Sequence, residues 1–229
     1  MSEKITIAID GFSSTGKSTI AKQLAKELGY IYVDTGAMYR AVTLFAINKE
    51  YVSENFLNDQ KLINDLDKIS LSFQFNEDLG FAEMYLNGKN VEKEIRTLEV
   101  SKLVSPIATI SDVRRKLVLE QQEMGKNKGI VMDGRDIGTV VFPDAELKLF
   151  MTASPDKRAK RRYKELIDRG DDVNYAEILH NVVERDRIDS TREDSPLTKA
   201  IDAIELDNSD MGLKEQFERI MSLVAQKLK

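Results

Sequence analysis

Hydrophobic and polar positions switch between strand-like and helix-like spacing along the first fifty residues. Residues 5–9 form a short, β-branched and almost wholly apolar run, which is typical of a strand buried on both faces of a parallel sheet. A glycine-rich turn follows, and apolar residues then recur at helical spacing over residues 17–28, with Gly29 as a helix stop. A second strand over residues 30–33 leads into a helix that runs to about Asn48. This order predicts a βαβ unit of a parallel α/β sheet.

The middle of the chain changes from helical spacing to strict alternation of apolar and polar residues. The alternation covers residues 69–75 and again residues 81–86, with a polar loop between them. Asn87-Gly88 is a tight-turn signal, and a third short strand is expected over residues 89–91. These segments predict a small antiparallel β meander inserted into the α/β body.

Helical and apolar segments resume after the meander. A helix is expected from about Leu98 to Met124, with Pro106 as a break or kink because proline lacks an amide hydrogen. Apolar strands are expected over residues 130–133 and 147–151. The remaining pattern predicts a charged helical hairpin, a last strand and a last helix, over residues 155–193, 203–206 and 213–228.

The composition excludes several kinds of chemistry. The 229 residues include no Cys and one His, which removes disulfides, zinc ribbons, thiol catalysis and a Ser-His triad. That histidine, His180, is expected to be a surface helix residue. The formal net charge of −5 argues against a dedicated nucleic-acid binder. No apolar stretch is long enough to span a membrane and no apolar signal region follows the first residues, so we expect a cytoplasmic protein.

A phosphate-binding loop is the clearest chemical signal. Residues 11–18 match the pattern Gly-x-x-x-x-Gly-Lys-Ser, between a strand and a helix. Such a loop points successive backbone N–H groups at a phosphate, and the helix adds the positive end of its dipole. Lys17 can reach the β- and γ-phosphates, and the Ser18 hydroxyl can bind Mg²⁺. The residues expected at the triphosphate of ATP are Gly11, Phe12, Ser13, Ser14, Thr15, Gly16, Lys17, Ser18 and Thr19.

A magnesium ion would also need an acidic partner at the tip of a neighbouring strand. Asp133 ends an apolar strand and is the first candidate, and Asp34, at the end of another strand, is the second. Asp10 lies directly before the loop and is not favoured. The alternative for each is an aspartate that caps a turn.

Arginines are concentrated behind one strand and on helix faces. Residues 133–136 read Asp-Gly-Arg-Asp directly after a buried strand, at the edge where α/β proteins bind ligands. Helical spacing groups Arg158, Arg161 and Arg162 on one face, and Arg185, Asp189 and Arg192 on another. Such faces are often solvated ion pairs, but guanidiniums also suit phosphates and a phosphoryl transition state. Transfer between two phosphates needs no general base, because the acceptor is already anionic.

The chain resembles the bacterial cytidylate kinases, of the nucleoside monophosphate kinase family, over essentially its full length. The resemblance is carried by residues 9–11 (Ile-Asp-Gly), 34–40 (Asp-Thr-Gly-Ala-Met-Tyr-Arg), 94–97 (Glu-Ile-Arg-Thr), 133–143 (Asp-Gly-Arg-Asp-Ile-Gly-Thr-Val-Val-Phe-Pro) and 184–186 (Glu-Arg-Asp) with Asp189 and Arg192. It implies an α/β P-loop kinase with a mostly parallel central sheet. It divides the chain into a core (1–36, 92–153, 194–229), a monophosphate-binding region with the β-rich insert (37–91) and a helical lid (154–193).

The resemblance also implies roles for individual residues. Arg158 and Arg162 would lie in the lid, meet the donor phosphates and act in catalysis with Lys17 and Arg135. The substrate-binding residues that it implies are Ser105, Arg114 and Asp136 at the cytosine, Thr35, Arg185 and Asp189 near the nucleotide, with Asp189 on the ribose, and Arg40, Arg135 and Arg192 at the acceptor phosphate. Thr35 stands where many relatives carry Ser, and Arg115, beside Arg114, is the alternative at that position.

The expected reaction is Mg²⁺-dependent transfer of a phosphoryl group from ATP to CMP or dCMP, by a monomer without a nucleic-acid or membrane partner. Cytosine offers an N4 amino donor to Asp136, and N3 and O2 acceptors to Arg114. Uracil has a hydrogen-bond donor at N3 and an acceptor at position 4, the reverse of cytosine. UMP should therefore be a poor substrate. The alternatives are another small P-loop kinase (for UMP, AMP, dTMP or shikimate), a nucleotide-dependent switch, whose guanine-reading Asn-Lys-x-Asp stretch is absent from the sequence, and a nucleic-acid-binding module.

Overall fold

The computed structural model of the protein describes residues 4–78 and 80–228. The strands are β1 (Thr6–Gly11), β2 (Ile31–Asp34), β3 (Val52–Ser53), β4 (Phe56–Leu57), β5 (Leu71–Asn76), β6 (Phe81–Leu86), β7 (Lys89–Asn90), β8 (Ile130–Gly134), β9 (Leu147–Thr152) and β10 (Ile204–Asp207). The α-helices are α1 (Lys17–Leu28), α2 (Thr35–Asn48), α3 (Asp59–Asn64), α4 (Leu98–Ile107), α5 (Ser111–Met124), α6 (Pro155–Asp168), α7 (Tyr175–Thr191) and α8 (Leu213–Lys227). Shorter helical turns lie at Leu66–Lys68, Glu94–Arg96 and Ile137–Val141, the last of them π-helical.

The central sheet has the strand order β10-β9-β1-β8-β2. β1 pairs in parallel with β8 and β9, and β9 pairs in parallel with β10. Every residue of β1 and β8 is buried, as their apolar runs predict. The register sets Asp10 opposite Gly134 and Gly11 opposite Met151, so the segments that follow β1 and β8 leave the sheet at the same edge. The predicted α/β class with a mostly parallel sheet is confirmed.

Local signals set the helix ends. α1 covers the predicted residues and stops at Gly29, which adopts the left-handed conformation. α2 begins at Thr35 because the Asp34 carboxylate accepts a hydrogen bond from the backbone N–H of Ala37, as an N-cap does. α6 and α7 form the predicted hairpin, and α8 closes the described part of the chain.

β5, β6 and β7 form the predicted antiparallel meander. β5 pairs with β6 from Leu71 opposite Leu86 to Asn76 opposite Phe81. Asn87 and Gly88 both have positive φ, of 50° and 79°, which is the conformation of a two-residue hairpin turn. The predicted polar loop between β5 and β6 includes Leu79, which lies outside the described residues.

The segment predicted to be helical from Leu98 to Met124, with a break or kink at Pro106, forms two helices, so the break is confirmed. The break follows Pro106, which lies in the last turn of α4. The carbonyl of Pro106 accepts hydrogen bonds from the N–H of Thr109 (3.2 Å) and from its hydroxyl (2.7 Å), and this turn closes the helix. The sequence pattern also did not reveal β3, β4 and α3, which are too short to show a period.

The chain divides into two compact units. The first comprises the residues up to Ile31 and those from Gly125 onward, and the second is Tyr32–Met124. The first unit buries Ile7, Ile9 and Ile20, and the second buries Met38 and Met84. The predicted division into core, monophosphate-binding region and lid stays a prediction. Among the described residues, no helix is both long enough and apolar enough to cross a membrane.

Candidate active site

The loop between β1 and α1 has the backbone of an anion cradle. A Cβ atom at Gly11 (φ 140°) would lie 2.0 Å from the Met151 carbonyl oxygen, so only glycine fits beside β9. Ser14 (φ 58°) and Gly16 (φ 88°) have left-handed backbones, which turn successive N–H groups inward. Gly16 caps α1 without any side-chain acceptor for the first-turn N–H groups. The Ser13 hydroxyl is buried and has no hydrogen-bond partner among the residues that the structure describes. This loop fits a phosphate group.

Lys17 is folded back onto the loop. Its Nζ donates to the Phe12 carbonyl at 2.5 Å and lies 3.4 Å from Thr15 Oγ1. Burial, together with the positive charge of Arg135, lowers the pKa of the Lys17 amine to about 7. An anionic ligand at the loop would stabilise the charged amine, which is the behaviour expected of a phosphate-binding lysine.

Ser18 and Asp133 meet at the carboxyl edge of the sheet. The Ser18 hydroxyl donates to Asp133 Oδ2 at 3.0 Å across 115 residues of sequence. A hydroxyl and a carboxylate are the two protein oxygens that a magnesium ion bound to substrate phosphates would use. Within residues 4–78 and 80–228, no group of three or more acidic or histidine side chains could hold a metal by itself. The residues therefore fit an ion whose remaining ligands are phosphate and water oxygens.

Asp34, the second magnesium candidate, is engaged elsewhere. Its Oδ2 accepts from Arg96 Nη2 at 2.8 Å and its Oδ1 accepts from the Ala37 N–H at 2.9 Å. Burial alone would raise the pKa of Asp34, but the Arg96 guanidinium outweighs burial and holds that pKa below its usual range. Arg96 also binds Glu92. In the sequence, Arg96 lies in the run 94–97, a pattern that does not indicate its partners.

An arginine cluster surrounds Asp189 in the first unit. Arg135 Nε donates to Asp189 Oδ2 at 2.9 Å, and Arg192 Nη2 lies 4.0 Å from Asp136 Oδ1. Burial alone would raise the pKa of Asp189, but Arg135, Arg185 and Arg192 together hold it below its usual range. Burial, together with the positive charge of Arg135, lowers the pKa of Arg185 to about 10. Asp186 also acts on Arg185, yet the carboxylates do not offset the effect of burial and of Arg135 on that guanidinium, so an anionic ligand would stabilise its charge.

The arginines of α6 are not a solvated face. Arg158 is 2% exposed and donates to the carbonyls of Ala153 (2.8 Å) and Ser13 (3.2 Å). It also pairs with Asp186 of α7 and lies over the Phe12 ring, with its Cζ 5.1 Å from the centroid. Arg162 is half-buried and donates to Glu165 at 2.9 Å. The Arg158 side chain thus contacts the backbone of the phosphate-binding loop.

Asn208 is a residue that the sequence did not indicate. Its Nδ2 donates to the Thr15 carbonyl (2.6 Å) and to Gln216 Oε1 (2.8 Å). Its Oδ1 accepts from Arg161 Nη1 at 3.0 Å. Asn208 is buried behind the loop and immobilises its last turn, but a single asparagine after a strand carries no recognisable motif.

The remaining predicted residues lie in the second unit. Thr35 and Ser105 are buried, and Arg40 is half-buried. Arg114 is buried, donates to the Ala108 carbonyl at 3.2 Å and lies with its Cζ 5.6 Å from the centroid of the Tyr39 ring.

Of the two neighbouring arginines, Arg115 is the solvent-facing one. Its side chain is 69% exposed and pairs with Asp112. Burial therefore favours Arg114 as the arginine available for a specific contact. His180 is exposed on α7, as expected.

The family model and the curated relatives agree on one family. The family model described as cytidylate kinase matches residues 7–226. A curated cytidylate kinase of Flavobacterium johnsoniae is 66% identical over 222 residues, which are 97% of this chain and 96% of that protein. The cytidylate kinase of Parabacteroides distasonis is 61% identical over 214 residues, or 93% of each chain. Among solved structures, a shikimate kinase from Bacteroides thetaiotaomicron covers 96% of this chain and 98% of its own, with 13% identity and a TM-score of 0.44.

Proposed function

The chain belongs to the cytidylate kinase family, and we propose from that premise how its residues carry the phosphorylation of CMP and dCMP by ATP. The observation that carries the activity is the family match over residues 7–226 together with identities of 61% and 66% to curated cytidylate kinases. A bond forms between an oxygen of the acceptor phosphate and the γ-phosphorus of ATP, while the bond from that phosphorus to the bridging oxygen breaks. The products are ADP and CDP or dCDP.

The donor triphosphate is proposed to lie in the loop of residues 11–19. Its backbone N–H groups and the start of α1 would hold the β-phosphate, and Lys17 would neutralise charge on the β- and γ-phosphates. Arg162 would turn from Glu165 to the donor phosphates. Arg158 would keep the loop in place through the Ser13 carbonyl, and would reach a phosphate only by leaving Asp186.

Ser18 and Asp133 are proposed to hold the magnesium ion that accompanies ATP. The ion, when bound, neutralises phosphate charge and so lowers the barrier to transfer. The hydrogen bond between these two side chains places their oxygens side by side, which supports the assignment.

The acceptor phosphate is proposed to bind Arg40, Arg135 and Arg192. Arg135 would also stabilise the charge that spreads over the transferring phosphoryl group. The Arg135 guanidinium is held by Asp189, which is itself proposed to contact the ribose along with Arg185. Thr35 would contribute a hydroxyl near the nucleotide. No side chain needs to remove a proton, because the acceptor oxygen is already anionic.

Selection of cytosine over uracil is proposed to rest on the opposite hydrogen-bond donor and acceptor patterns of the two bases. Asp136 would accept from the N4 amino group, while Arg114 would donate to N3 and O2 with help from Ser105. UMP carries a carbonyl oxygen where CMP carries the amino group, so the Asp136 carboxylate would face an acceptor. The mismatch penalises UMP through an unsatisfied buried polar group.

Steady-state ADP formation tests the activity and the base-reading residue together. The acceptors are CMP, dCMP, UMP, AMP, GMP, dTMP, shikimate and none, with ATP and Mg²⁺ saturating. We expect fast turnover on CMP and dCMP and slow turnover on UMP. In Asp136→Asn the preference for CMP over UMP should narrow roughly tenfold to a hundredfold. The exposed Asp144 provides the control variant Asp144→Asn, which should leave the preference unchanged.

Two outcomes of this assay would contradict the proposal in different ways. Activity centred on another acceptor would retain a kinase and discard the roles of Arg114 and Asp136. Hydrolysis of ATP that ignores every acceptor would instead favour a nucleotide-dependent switch.

The enzyme is further proposed to act as a cytoplasmic monomer, without a nucleic-acid or membrane partner. Every residue assigned above comes from one chain, so no second copy is needed to supply a side chain. Sedimentation velocity with and without nucleotides should give a single species of about 26 kDa. A dimer whose dissociation abolishes activity would contradict the monomer.

A further inference from the structure

Asp10 makes an unusual pair of hydrogen bonds from the end of β1. Its Oδ1 accepts from the backbone N–H of Ile137 at 2.8 Å, and its Oδ2 accepts from the backbone N–H of Gly138 at 2.7 Å. The two partners are 127 and 128 residues away in sequence and open the π-helical turn Ile137–Val141. The Asp10 side chain is buried, so neither oxygen relies on solvent for these contacts.

Asp10, which lies in β1, accepts the hydrogen bonds that the N-cap residue of the turn 137–141 would usually accept. The first N–H groups of a helical turn lack partners within the turn and are usually satisfied by the side chain of the capping residue. Here the capping residue is Asp136, whose side chain makes no capping hydrogen bond. Asp10 supplies both acceptors instead, so the Asp136 carboxylate is not needed at its own turn.

The packing around Gly138 fits this arrangement. A Cβ atom at Gly138 would lie 3.4 Å from Asp10 Oδ2 and 3.1 Å from Lys148 Cδ. The 3.4 Å to Asp10 is an ordinary van der Waals distance, so the tight neighbour of this glycine is the Lys148 side chain, and the Asp10 carboxylate itself is reached by hydrogen bonds to the backbone of the turn.

We propose that Asp10 is a positioning residue for cytosine selection, because it caps the turn 137–141 in place of Asp136 and so keeps the Asp136 carboxylate from being drawn to the backbone of its own turn. The inference rests on the proposed role of Asp136. Without the Asp10 carboxylate, the N–H groups of Ile137 and Gly138 would need another acceptor, and the nearest candidate by chain position is Asp136 itself. Asp136 would then turn toward its own backbone and away from the base.

The variant Asp10→Asn tests whether Asp10 positions Asp136 for base recognition or only stabilises the fold. An amide keeps one acceptor oxygen but presents an NH₂ group to the other N–H, so one of the two bonds is lost. The matched control is Glu146→Gln, because Glu146 Oε2 accepts from the Thr6 N–H at 2.8 Å near the amino end of the same strand. The measurement is kcat/KM for CMP and for UMP at saturating ATP, with KM for ATP and the thermal midpoint.

Asp10→Asn should narrow the ratio of kcat/KM for CMP over UMP by about tenfold, the size of one lost hydrogen bond. Glu146→Gln should keep the ratio within about twofold. A variant that is merely less stable would lose activity on both acceptors alike, so the ratio distinguishes positioning from stability. An unchanged ratio in Asp10→Asn would overturn the inference.

Asp136→Asn, assayed in parallel, distinguishes the failure of this inference from the failure of the proposed function. If Asp136→Asn leaves the ratio of kcat/KM for CMP over UMP unchanged, Asp136 does not recognise the base, and the inference about Asp10 is wrong as well. If Asp136→Asn narrows the ratio and Asp10→Asn does not, only the role of Asp10 is wrong. Should Asp10→Asn fail to fold, Asp10→Ser takes its place, because a single hydroxyl oxygen cannot reproduce the two-oxygen contact with the N–H groups of Ile137 and Gly138, and a ratio unchanged in that variant would equally overturn the inference.

Discussion

At the scale of single residues, function depends on side chains that meet across long stretches of sequence. Ser18 and Asp133 form such a pair, and Arg135 and Asp189 form another. The sequence predicted Ser18 in the phosphate-binding loop, Asp133 and Arg135 directly after a buried strand and Asp189 on a helix face, and the structure supplies the pairing. One carboxylate thus lies beside a hydroxyl and the other among guanidinium groups.

Replacing Asp133 tests the magnesium assignment. In Asp133→Asn the concentration of Mg²⁺ that gives half-maximal rate should rise about tenfold or more, because a charged ligand oxygen is replaced by a neutral amide. The rate is measured as Mg²⁺ is titrated at fixed ATP and CMP. Asp144→Asn, which alters an exposed carboxylate, should leave the titration unchanged. An Asp133 variant with normal Mg²⁺ dependence would remove Asp133 from the metal site.

Replacing Gly11 tests the close approach of the loop to β9. In Gly11→Ala the added Cβ would lie 2.0 Å from the Met151 carbonyl oxygen, on a backbone with φ 140°. We expect the free energy of unfolding to fall by about 3 kcal/mol or more, with loss of ATP binding. The control is Gly212→Ala, where a Cβ would meet nothing within 4 Å. Urea unfolding of both variants checks the prediction, and equal stabilities would contradict it.

At the scale of secondary-structure elements, single side chains fix where helices begin and how loops are held. Asp34 caps α2 and receives Arg96 on its second oxygen. Arg96 in turn binds Glu92, whose other oxygen accepts from the Met84 N–H of β6. The first residue of α2, which carries a predicted substrate hydroxyl, is thus connected to the meander through one guanidinium.

The Arg96–Asp34 pair should make stability depend on pH. Since Arg96 holds the Asp34 pKa below its usual value, the stabilisation is fully present above the unfolded pKa of about 3.9. It is lost as the pH falls through the lower folded pKa. In Arg96→Gln the free energy of unfolding at pH 7 should fall by about 1.5–3 kcal/mol, and the difference from the unmodified protein should shrink toward pH 2.

Urea unfolding from pH 7 to pH 2 measures that difference. The control is Arg187→Gln, which removes an exposed pair with Glu184 and should change stability little. If the deficit of Arg96→Gln stayed constant down to pH 2, the pair with Asp34 would not be its cause.

At the scale of the whole molecule, net charge and local charge have opposite signs. The chain carries a formal charge of −5, yet its first unit gathers Arg135, Arg185 and Arg192 around Asp189 and Asp136. The net charge of the chain therefore does not describe the candidate site, where buried guanidinium groups are concentrated. The net charge argues against a dedicated nucleic-acid binder, whereas the local arrangement of arginines suits the phosphate groups of small nucleotides.

Nucleotide binding should stabilise the whole protein selectively. At CMP concentrations a hundredfold above its dissociation constant, the free energy of unfolding should rise by about 2.7 kcal/mol, which corresponds to roughly 5–10 °C in the thermal midpoint. UMP at the same concentration should shift the midpoint much less. Differential scanning fluorimetry with both nucleotides checks this, and equal shifts would contradict the proposed reading of the base.

The sequence by itself determined the α/β class, the phosphate-binding loop, the meander and most helix and strand positions. These features depend on spacing within ten to twenty residues and on the conformations that glycine, proline and capping residues allow. Pro106 also indicated the break between α4 and α5, which periodicity alone did not show because apolar spacing continues through it.

Only the tertiary structure decided which of two adjacent arginines is buried, that Arg158 leaves solvent, and that Asp10 caps a turn 127 residues away. These outcomes depend on the burial and partners that a side chain acquires after the strands align. A sequence pattern records residue types at fixed spacing, and it contains no information about which distant group will satisfy a buried charge.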